Sequence, residues 1–207
     1  MNATILRRTF DPALLQSFEH EHPVLARIYA ARGVTSPDEL AYTLDHLHGY
    51  DSLKDIDKAA DILAQAVLSN KTFVIVGDFD ADGATSTTLA VRALRALGAN
   101  NIHFIVPNRF EFGYGLTPEI VALTEQYSPD VLITVDNGIS SHAGVDAAKA
   151  LGMQVVITDH HIAPETLPKA DAIVNPNQPD CDFPSKHCAG VGVIFYVMAA
   201  LRAKLKT

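Results

Sequence analysis

The sequence has few cysteines, which limits the ways in which the chain can be cross-linked. Only two are present, Cys181 and Cys188, with His187 beside the second. A structural zinc site needs a second pair of ligands at close spacing, and the sequence offers no such pair. We therefore expect two free thiols in a reducing compartment, with the cytoplasm as the default location.

Long apolar runs are also missing. No stretch approaches the roughly 20 residues that a membrane-spanning helix needs, and Met1 to Phe10 lack the apolar core of a signal peptide. Hydrophobic residues make up 48% of the 207 residues and charged residues 19%. This balance is typical of a globular protein with one substantial core, so we expect no membrane partner.

The sequence has no excess of basic residues. It contains 16 Lys and Arg against 24 Asp and Glu, a formal net charge of −8. This charge argues against a uniformly basic nucleic-acid-binding surface. It does not exclude nucleic acid, because metal ions neutralise clustered carboxylates and a local basic track can still hold a strand.

The chain is organised in two parts. Residues 1–70 predict a helical amino-terminal extension, with a helix start at Ser36 and helical apolar spacing from Leu53 to Leu68. From residue 71 to 207, short apolar runs alternate with helical segments. This alternation predicts an α/β fold, with a mostly parallel, doubly wound sheet flanked by helices. The predicted strands are 73–77, 102–106, 131–135, 155–158 and 172–174, and the predicted helices are 85–97, one opening at 117, 140–151 and 191–205.

Three aspartates, Asp78, Asp80 and Asp82, follow the first predicted strand and precede Gly83. Because side chains alternate along a strand, we expect Asp78 and Asp80 on one face of its carboxyl end. Three carboxylates this close repel one another unless a cation neutralises them, which favours a divalent metal. The alternative is a solvated acidic turn or helix cap. The pattern does not match an EF-hand loop, whose twelfth position is Glu, because this chain has Leu89 there.

Acids and histidines also follow the third and fourth predicted strands. Asp136 ends the third, and Asp159, His160 and His161 end the fourth. The carboxyl ends of parallel strands lie at one edge of a sheet, where ligands bind. This set has more potential ligands than one ion needs, so we expect two ions bridged by a carboxylate. Oxygen donors with an imidazole suit Mn²⁺, with Mg²⁺ as the alternative.

Other residues near the same edge suggest what the metals act on. Arg109 is suited to binding a phosphate in bidentate fashion, and Tyr114 to stacking on a base. An ordinary salt bridge and a packed ring explain the two residues equally well. Gly190 and Gly192 open the last predicted helix, and a glycine-rich helix start offers backbone N–H groups to an anion.

The motifs DFDADG, VDNG and TDHH stand in this order at the ends of successive predicted strands. Together they resemble the first three motifs of the DHH phosphoesterase superfamily. The wider context, including VPNRFEFGYGL, IVNPN and FPSKHCAGVGV, resembles its bacterial single-strand-specific exonucleases from about Tyr29 onward. The resemblance implies a 5′-to-3′ exonuclease on single-stranded DNA, dependent on Mn²⁺ or Mg²⁺, in recombination and repair. Single-strand-binding protein and helicase are the implied partners.

The resemblance also implies roles for individual residues. The implied metal ligands are Asp80, Asp82, Asp136 and His160, with Asp78 as a ligand or close support, and the implied supporting and substrate-facing residues are Asp159, His161, Arg109, Tyr114, Gly190 and Gly192. Asp82 and Asp136 would bridge two ions that activate a water for attack on phosphorus. Many superfamily members carry a metal-binding histidine where this chain has Val76, so Asp78 would supply that donor.

The resemblance leaves two alternatives open. Other members of the superfamily cleave short oligonucleotides or small nucleotides. The superfamily pattern also continues with a fourth metal-binding aspartate and a second domain, which lie beyond Thr207. The chain thus resembles an amino-terminal fragment with an incomplete DHH domain, and a catalytically incomplete module is the second alternative.

Overall fold

The computed structural model describes residues 5–41 and 43–206. The chain forms two compact units, the first ending at His48 and the second beginning at Gly49. The sequence analysis divides the chain elsewhere, into a helical extension, 1–70, and a phosphoesterase domain, 71–207. This functional division stays a prediction. Its last residue, Thr207, lies outside the described part.

The first unit is built from short helical segments. Its described residues, 5–41 and 43–48, form the α-helix α1 (Pro23–Ala31) and three 3₁₀ helices, Pro12–Phe18, Pro37–Leu40 and Leu44–His46. Ser36 caps the second of these, since its Oγ accepts from the Asp38 amide at 3.2 Å while Glu39 accepts from the Ser36 amide at 3.1 Å. The helix start predicted at Ser36 is therefore confirmed, although the helix that it opens is a single 3₁₀ turn.

The second unit contains the sheet. In chain order its regular elements are α2 (Ile56–Leu68), β1 (Thr72–Gly77), α3 (Ala81–Ala96), β2 (Asn101–Ile105), α4 (Arg109–Phe112), α5 (Pro118–Thr124), β3 (Val131–Val135), α6 (His142–Ala150), β4 (Gln154–Thr158), β5 (Ala172–Val174) and α7 (Gly190–Leu205), with 3₁₀ turns at Tyr50–Ser52 and Glu125–Tyr127. The strands match the predicted ones with ends that differ by one residue at most. The short helix α4 was not predicted, and α3 begins at Ala81 rather than at residue 85.

The five strands form one parallel sheet in the order β2-β1-β3-β4-β5. Strand β1 lies inside the sheet between β2 and β3, and its apolar residues are fully buried, which explains why the sequence there is almost continuously apolar. Phe73 and Ile75 join a core with α2, α3 and α7, whereas Val74 and Val76 join a second core with α5 and α6. Helices thus cover both faces, and the predicted α/β fold with a doubly wound parallel sheet is confirmed.

The chain order reverses between β1 and β3, which is where such sheets bind ligands. Gly77 of β1 pairs with Val135 of β3, and Val135 pairs with Thr158 of β4. The residues that follow these three are Asp78, Asp136 and Asp159. The register therefore places three carboxylates in one row at the carboxyl edge of the sheet.

Two further features bear on the sequence analysis. Cys181 and Cys188 are both free thiols. Among the helices of residues 5–41 and 43–206, none has the length and apolar character needed to cross a membrane.

Candidate metal centre

The acidic motif after β1 is a tight turn into α3. The Asp78 carboxylate accepts from the Phe79 amide at 2.7 Å, and Asp80 is the N-cap of α3, accepting from the Gly83 amide at 3.0 Å. Asp82 lies in the first helical turn. Asp78 and Asp80 are therefore brought together by a turn, and strand alternation was the wrong reason for their proximity. The helix-cap interpretation describes Asp80 correctly. The same carboxylate also lies near Asp78 and Asp136 at the carboxyl edge of the sheet, which we call the rim together with Asp82, Asp159, His160 and His161.

Gly83 permits this turn. A Cβ at this position would overlap the backbone of Asp78, its carbonyl oxygen most closely and its Cα at 2.7 Å. Because backbone atoms cannot rotate away as a side chain can, only glycine allows the start of α3 to lie against the end of β1.

Asp136 occupies the centre of the row. Its backbone has φ +62°, a left-handed conformation that aspartate adopts more readily than most residues, and its amide donates to the Thr158 carbonyl at 3.0 Å. The side chain is 2% exposed, and its Oδ1 accepts no hydrogen bond from the residues that the structure describes. His160 Nε2 lies 3.0 Å from this oxygen, but the two atoms are not aligned for a hydrogen bond.

Asp159 fixes the two histidines through hydrogen bonds to its carboxylate. It is fully buried, and its Oδ1 accepts from the amides of His160 and His161 at 2.7 and 3.1 Å and lies 2.7 Å from His161 Nδ1. Its Oδ2 accepts from the Ile139 amide at 2.9 Å. Burial raises the pKa of Asp159, but these hydrogen bonds outweigh burial and hold the pKa below its usual value. The same bond to Asp159 raises the pKa of His161.

Two groups of side chains meet the spacing of a metal site. Asp78, Asp80 and Asp136 form one, and Asp136, His160 and His161 form the other, with one ligand atom from each residue lying within 4.8 Å of the others in its group. Asp136 belongs to both groups. Two neighbouring cation positions that share one carboxylate would need spacing of this kind.

Asp82 is close to the second group but is held by α7. Its two carboxylate oxygens accept from the amides of Gly190 and Val191, both at 2.8 Å, while Oδ2 lies 3.6 Å from His160 Nε2. A Cβ at Gly190 would come within 2.6 Å of Asp136 Oδ1, so this glycine lets the helix start reach the site. The anion at the start of α7 is thus the Asp82 carboxylate. The predicted role of Gly190 and Gly192 at a substrate phosphate stays a prediction, and the Gly192 amide donates to the Ala189 carbonyl.

Arg109 and Tyr114 lie beside the acids. One Arg109 nitrogen donates to both Asp78 oxygens at 2.9 Å, and the guanidinium stacks 3.9 Å from the centre of the Phe79 ring and 5.1 Å from that of Tyr114. The salt-bridge alternative thus describes Arg109 in this structure. Phe79 is half-exposed and was missed by the sequence analysis, although its position between two site aspartates was a visible signal.

Tyr114 contacts the candidate metal centre through His161. Its hydroxyl lies 3.2 Å from both ring nitrogens of His161. Burial, with Asp159, Asp78 and Asp136 nearby, raises the pKa of Tyr114, so the hydroxyl keeps its proton and can donate. The rim therefore joins all the predicted ligands with Arg109, Tyr114 and His161.

Comparison with known protein families identifies the family of this chain. Residues 72–207 match the model of the DHH family, N-terminal domain. The chain belongs to the DHH family. The match covers the sheet, α3, α7 and every residue of the rim described above.

DHH proteins similar to this chain include named exonucleases. The chain is 56% identical over 183 residues to the single-stranded-DNA-specific exonuclease RecJ of Dickeya dadantii, an alignment that covers 88% of this chain and 32% of the relative. It is 53% identical over 184 residues to RecJ of Escherichia coli, covering 89% and 32%. The chain thus spans about a third of the length of these relatives.

A solved DHH structure shares the architecture. The structure of RecJ in complex with Mn²⁺ from Thermus thermophilus superposes with a TM-score of 0.71 at 31% identity, covering 95% of this chain and 28% of the other. The likeness supports the α/β fold with a helical amino-terminal part.

The electrostatics of the DHH rim favour a bound cation. Burial, with Asp82 and Asp80 nearby, raises the pKa of Asp136 to about 7. Without a cation, the ionised carboxylate is therefore costly at neutral pH, since water is excluded and like charges are close.

The donor set also fits divalent ions. Asp136 Oδ1 is buried and accepts no hydrogen bond from residues 5–41 and 43–206, and the three carboxylates of the first group offer oxygen only, as Mn²⁺ and Mg²⁺ prefer. The second group adds the imidazole of His160, a nitrogen ligand that Mn²⁺ accepts more readily than Mg²⁺. The residues present thus match a pair of hard divalent cations.

Proposed function

We propose that this chain is the metal-binding part of an exonuclease that hydrolyses phosphodiester bonds of single-stranded DNA in the 5′-to-3′ direction. The observation that carries the proposal is Asp136, whose buried Oδ1 accepts no hydrogen bond from the described residues and whose carboxylate lies close to Asp78 and Asp80 and also to His160. The similarity to exonucleases named for single-stranded DNA supports the substrate, and the Mn²⁺ complex of a relative supports the cofactor.

Each rim residue has a proposed role. Asp78, Asp80 and Asp136 would hold one ion, and Asp82, His160 and Asp136 would hold the other. Asp159 orients both histidines. When bound, two Mn²⁺ or Mg²⁺ ions supply charge stabilisation for the phosphoryl oxygens and a water of lowered pKa.

His161 is proposed to act on the substrate rather than on a metal. Its Nδ1 is engaged by Asp159, and this hydrogen bond raises the pKa of His161 and so favours the protonated ring. A protonated imidazole is a poor metal ligand and a good phosphate donor. His161 therefore holds a proton at Nε2 for a phosphate oxygen, with the Tyr114 hydroxyl beside it.

The wider setting is proposed from the resemblance. Residues 71–207 form the phosphoesterase domain and 1–70 its helical extension. The role is in recombination and repair in the cytoplasm, with single-strand-binding protein and helicase as partners. Of these, the single-stranded DNA is the part that the rim itself supports, through Arg109, Tyr114 and Phe79.

Calorimetric titration with Mn²⁺ tests the cofactor, and a chimera tests the activity. In the chimera this chain replaces the matching third of the E. coli exonuclease, and the substrate is 5′-labelled single-stranded DNA. We expect two Mn²⁺ per chain and Mn²⁺-dependent release of mononucleotides from single but not double strands. A folded chimera that binds Mn²⁺ without cleaving would contradict the proposal. A length series separates the alternative, because a small-nucleotide phosphodiesterase would cleave the shortest oligonucleotides fastest.

Arg109→Ala separates phosphate binding from metal binding. Arg109 occupies both Asp78 oxygens, so its removal should tighten Mn²⁺ binding a few-fold. The strand loses a charge-assisted phosphate contact, and its affinity should fall about tenfold. Fluorescence anisotropy of a labelled strand and Mn²⁺ titration measure the two effects in the chimera. Arg92→Ala, an exposed change on α3 that removes the same charge, is the matched control. Equal strand affinity for the Arg109 and Arg92 variants would remove Arg109 from the DNA site.

A further inference from the structure

The His160–His161 dipeptide is held by side chains rather than by the sheet. It follows β4 and lies outside any strand. Both of its amides donate to the Asp159 carboxylate. Its two carbonyls accept from amide side chains, the His161 carbonyl from Asn175 at 3.0 Å and the His160 carbonyl from Asn177 at 2.6 Å. Three side chains thus satisfy all four backbone polar groups of the dipeptide.

The two asparagines are themselves rigidly placed. Asn175 directly follows β5 and is fully buried, and its Oδ1 accepts from the Asn177 amide at 2.7 Å. Pro176 fixes the backbone between them. The Lys186 ammonium closes the turn by donating to the carbonyls of Pro176 and Cys181 at 2.7 and 2.6 Å. The IVNPN turn is therefore a fixed frame behind the histidines.

We propose that Asn175 and Asn177 are positioning residues for the metal centre, and that they set the direction of the His160 and His161 rings. The proposal rests on the function proposed above. His160 Nε2 faces Asp136 Oδ1 at 3.0 Å, and coordination tolerates only small displacements of a ligand. Without the Asn177 amide, the His160 carbonyl would lose its hydrogen bond and would turn toward water to regain one. The dipeptide would then rotate and displace the His160 imidazole from its position beside Asp136.

Asn177→Ala tests the proposal through Mn²⁺ affinity rather than activity. We expect Mn²⁺ to bind about 10- to 100-fold more weakly, as for other residues that orient a metal ligand. The matched control is Asn100→Ala, which removes the amide bond to Asn70 near the opposite end of the sheet. This control should leave Mn²⁺ affinity unchanged.

A double-mutant cycle shows whether Asn177 acts through His160. In a His160→Ala background, Asn177→Ala should cause no further loss of Mn²⁺ affinity, since the ring that it orients is gone. Asn177→Gln keeps the amide donor on a longer side chain, so it should bind Mn²⁺ more tightly than Asn177→Ala. If Asn177→Ala does not fold, Asn177→Gln replaces it in the cycle.

Two results overturn the proposal in different ways. If the wild-type chain does not bind Mn²⁺, the proposed function fails and the positioning role fails with it. If the wild-type chain binds Mn²⁺ but the Asn177 variants bind it equally well, or the losses from His160 and Asn177 simply add, the positioning role alone is wrong.

Discussion

Asp136→Asn is expected to abolish tight Mn²⁺ binding while making the metal-free fold more stable at neutral pH. The shared carboxylate serves both cation positions, so its loss should weaken binding by roughly 100-fold or more, beyond the effect of an outer residue. Asparagine is chosen because it tolerates the left-handed backbone at φ +62°, where alanine would add strain.

The stability gain follows from the sign of the pKa shift. The pKa of Asp136 is raised to about 7 in the fold, so its protonated form is favoured there relative to the unfolded chain. The stability that the Asp136 carboxyl contributes is fully present when the pH is below its pKa in the unfolded chain. This stability is lost as the pH rises through about 7, its pKa in the fold. Asparagine mimics the protonated carboxyl at every pH. Above neutral pH the variant should therefore be more stable than the metal-free wild type by roughly 2 kcal/mol.

Thermal unfolding in chelator between pH 5 and 8 measures this difference. The gap between variant and wild type should open as the pH rises, and Mn²⁺ should stabilise only the wild type. The exposed Asp146 on α6 supplies the control, since Asp146→Asn should change neither the pH profile nor Mn²⁺ binding. An Asp136→Asn variant that is less stable than the wild type at pH 8 would show that burial and the nearby acids do not destabilise the ionised Asp136 carboxylate.

Gly83→Ala should have the largest effect on the fold of the rim. The added Cβ overlaps the backbone of Asp78, which cannot move without displacing the end of β1. The start of α3, which carries Asp80 and Asp82, must shift instead. We expect a loss of roughly 2 kcal/mol or more in the free energy of unfolding, together with loss of Mn²⁺ binding, although alanine normally favours a helix by about 1 kcal/mol.

Ala84→Gly is the matched control for this change. Ala84 is exposed in the same helical turn, so the reverse substitution should cost about 1 kcal/mol through helix propensity alone and leave Mn²⁺ affinity unchanged. Urea unfolding and Mn²⁺ titration of both variants give the comparison. If Gly83→Ala binds Mn²⁺ like the wild type, the close approach of α3 to Asp78 is not needed for the site.

The fold could be predicted because its information is local. Apolar runs such as Phe73 to Gly77 mark buried parallel strands, and parallel strands deliver their following residues to one edge. That reasoning placed Asp78, Asp136 and Asp159 together, and the register confirms their common row. The limits appear where periodicity stops: Asp80 looked like a continuation of the strand, but the chain turns after Gly77 and Asp80 caps a helix.

The partners of the site residues could not be predicted, because they come from distant parts of the chain. Nothing in the spacing of Asp82 indicates that the amides of Gly190 and Val191 hold it. The same is true of Asn177, whose bond to the His160 carbonyl depends on how the turn after β5 packs against the turn after β4. The salt bridge of Arg109 with Asp78 was one of two alternatives from the sequence, and only the fold shows which acid it meets.

Anomalous diffraction from crystals of this chain soaked in Mn²⁺ tests the central claim most directly. The account predicts two peaks roughly 3.5–4 Å apart with the Asp136 carboxylate between them, one beside Asp78 and Asp80 and the other beside His160. The same soak of Asp136→Asn crystals should show neither peak at full occupancy. Peaks away from Asp136, or two peaks of unchanged height in the variant, would contradict a metal centre built around this carboxylate.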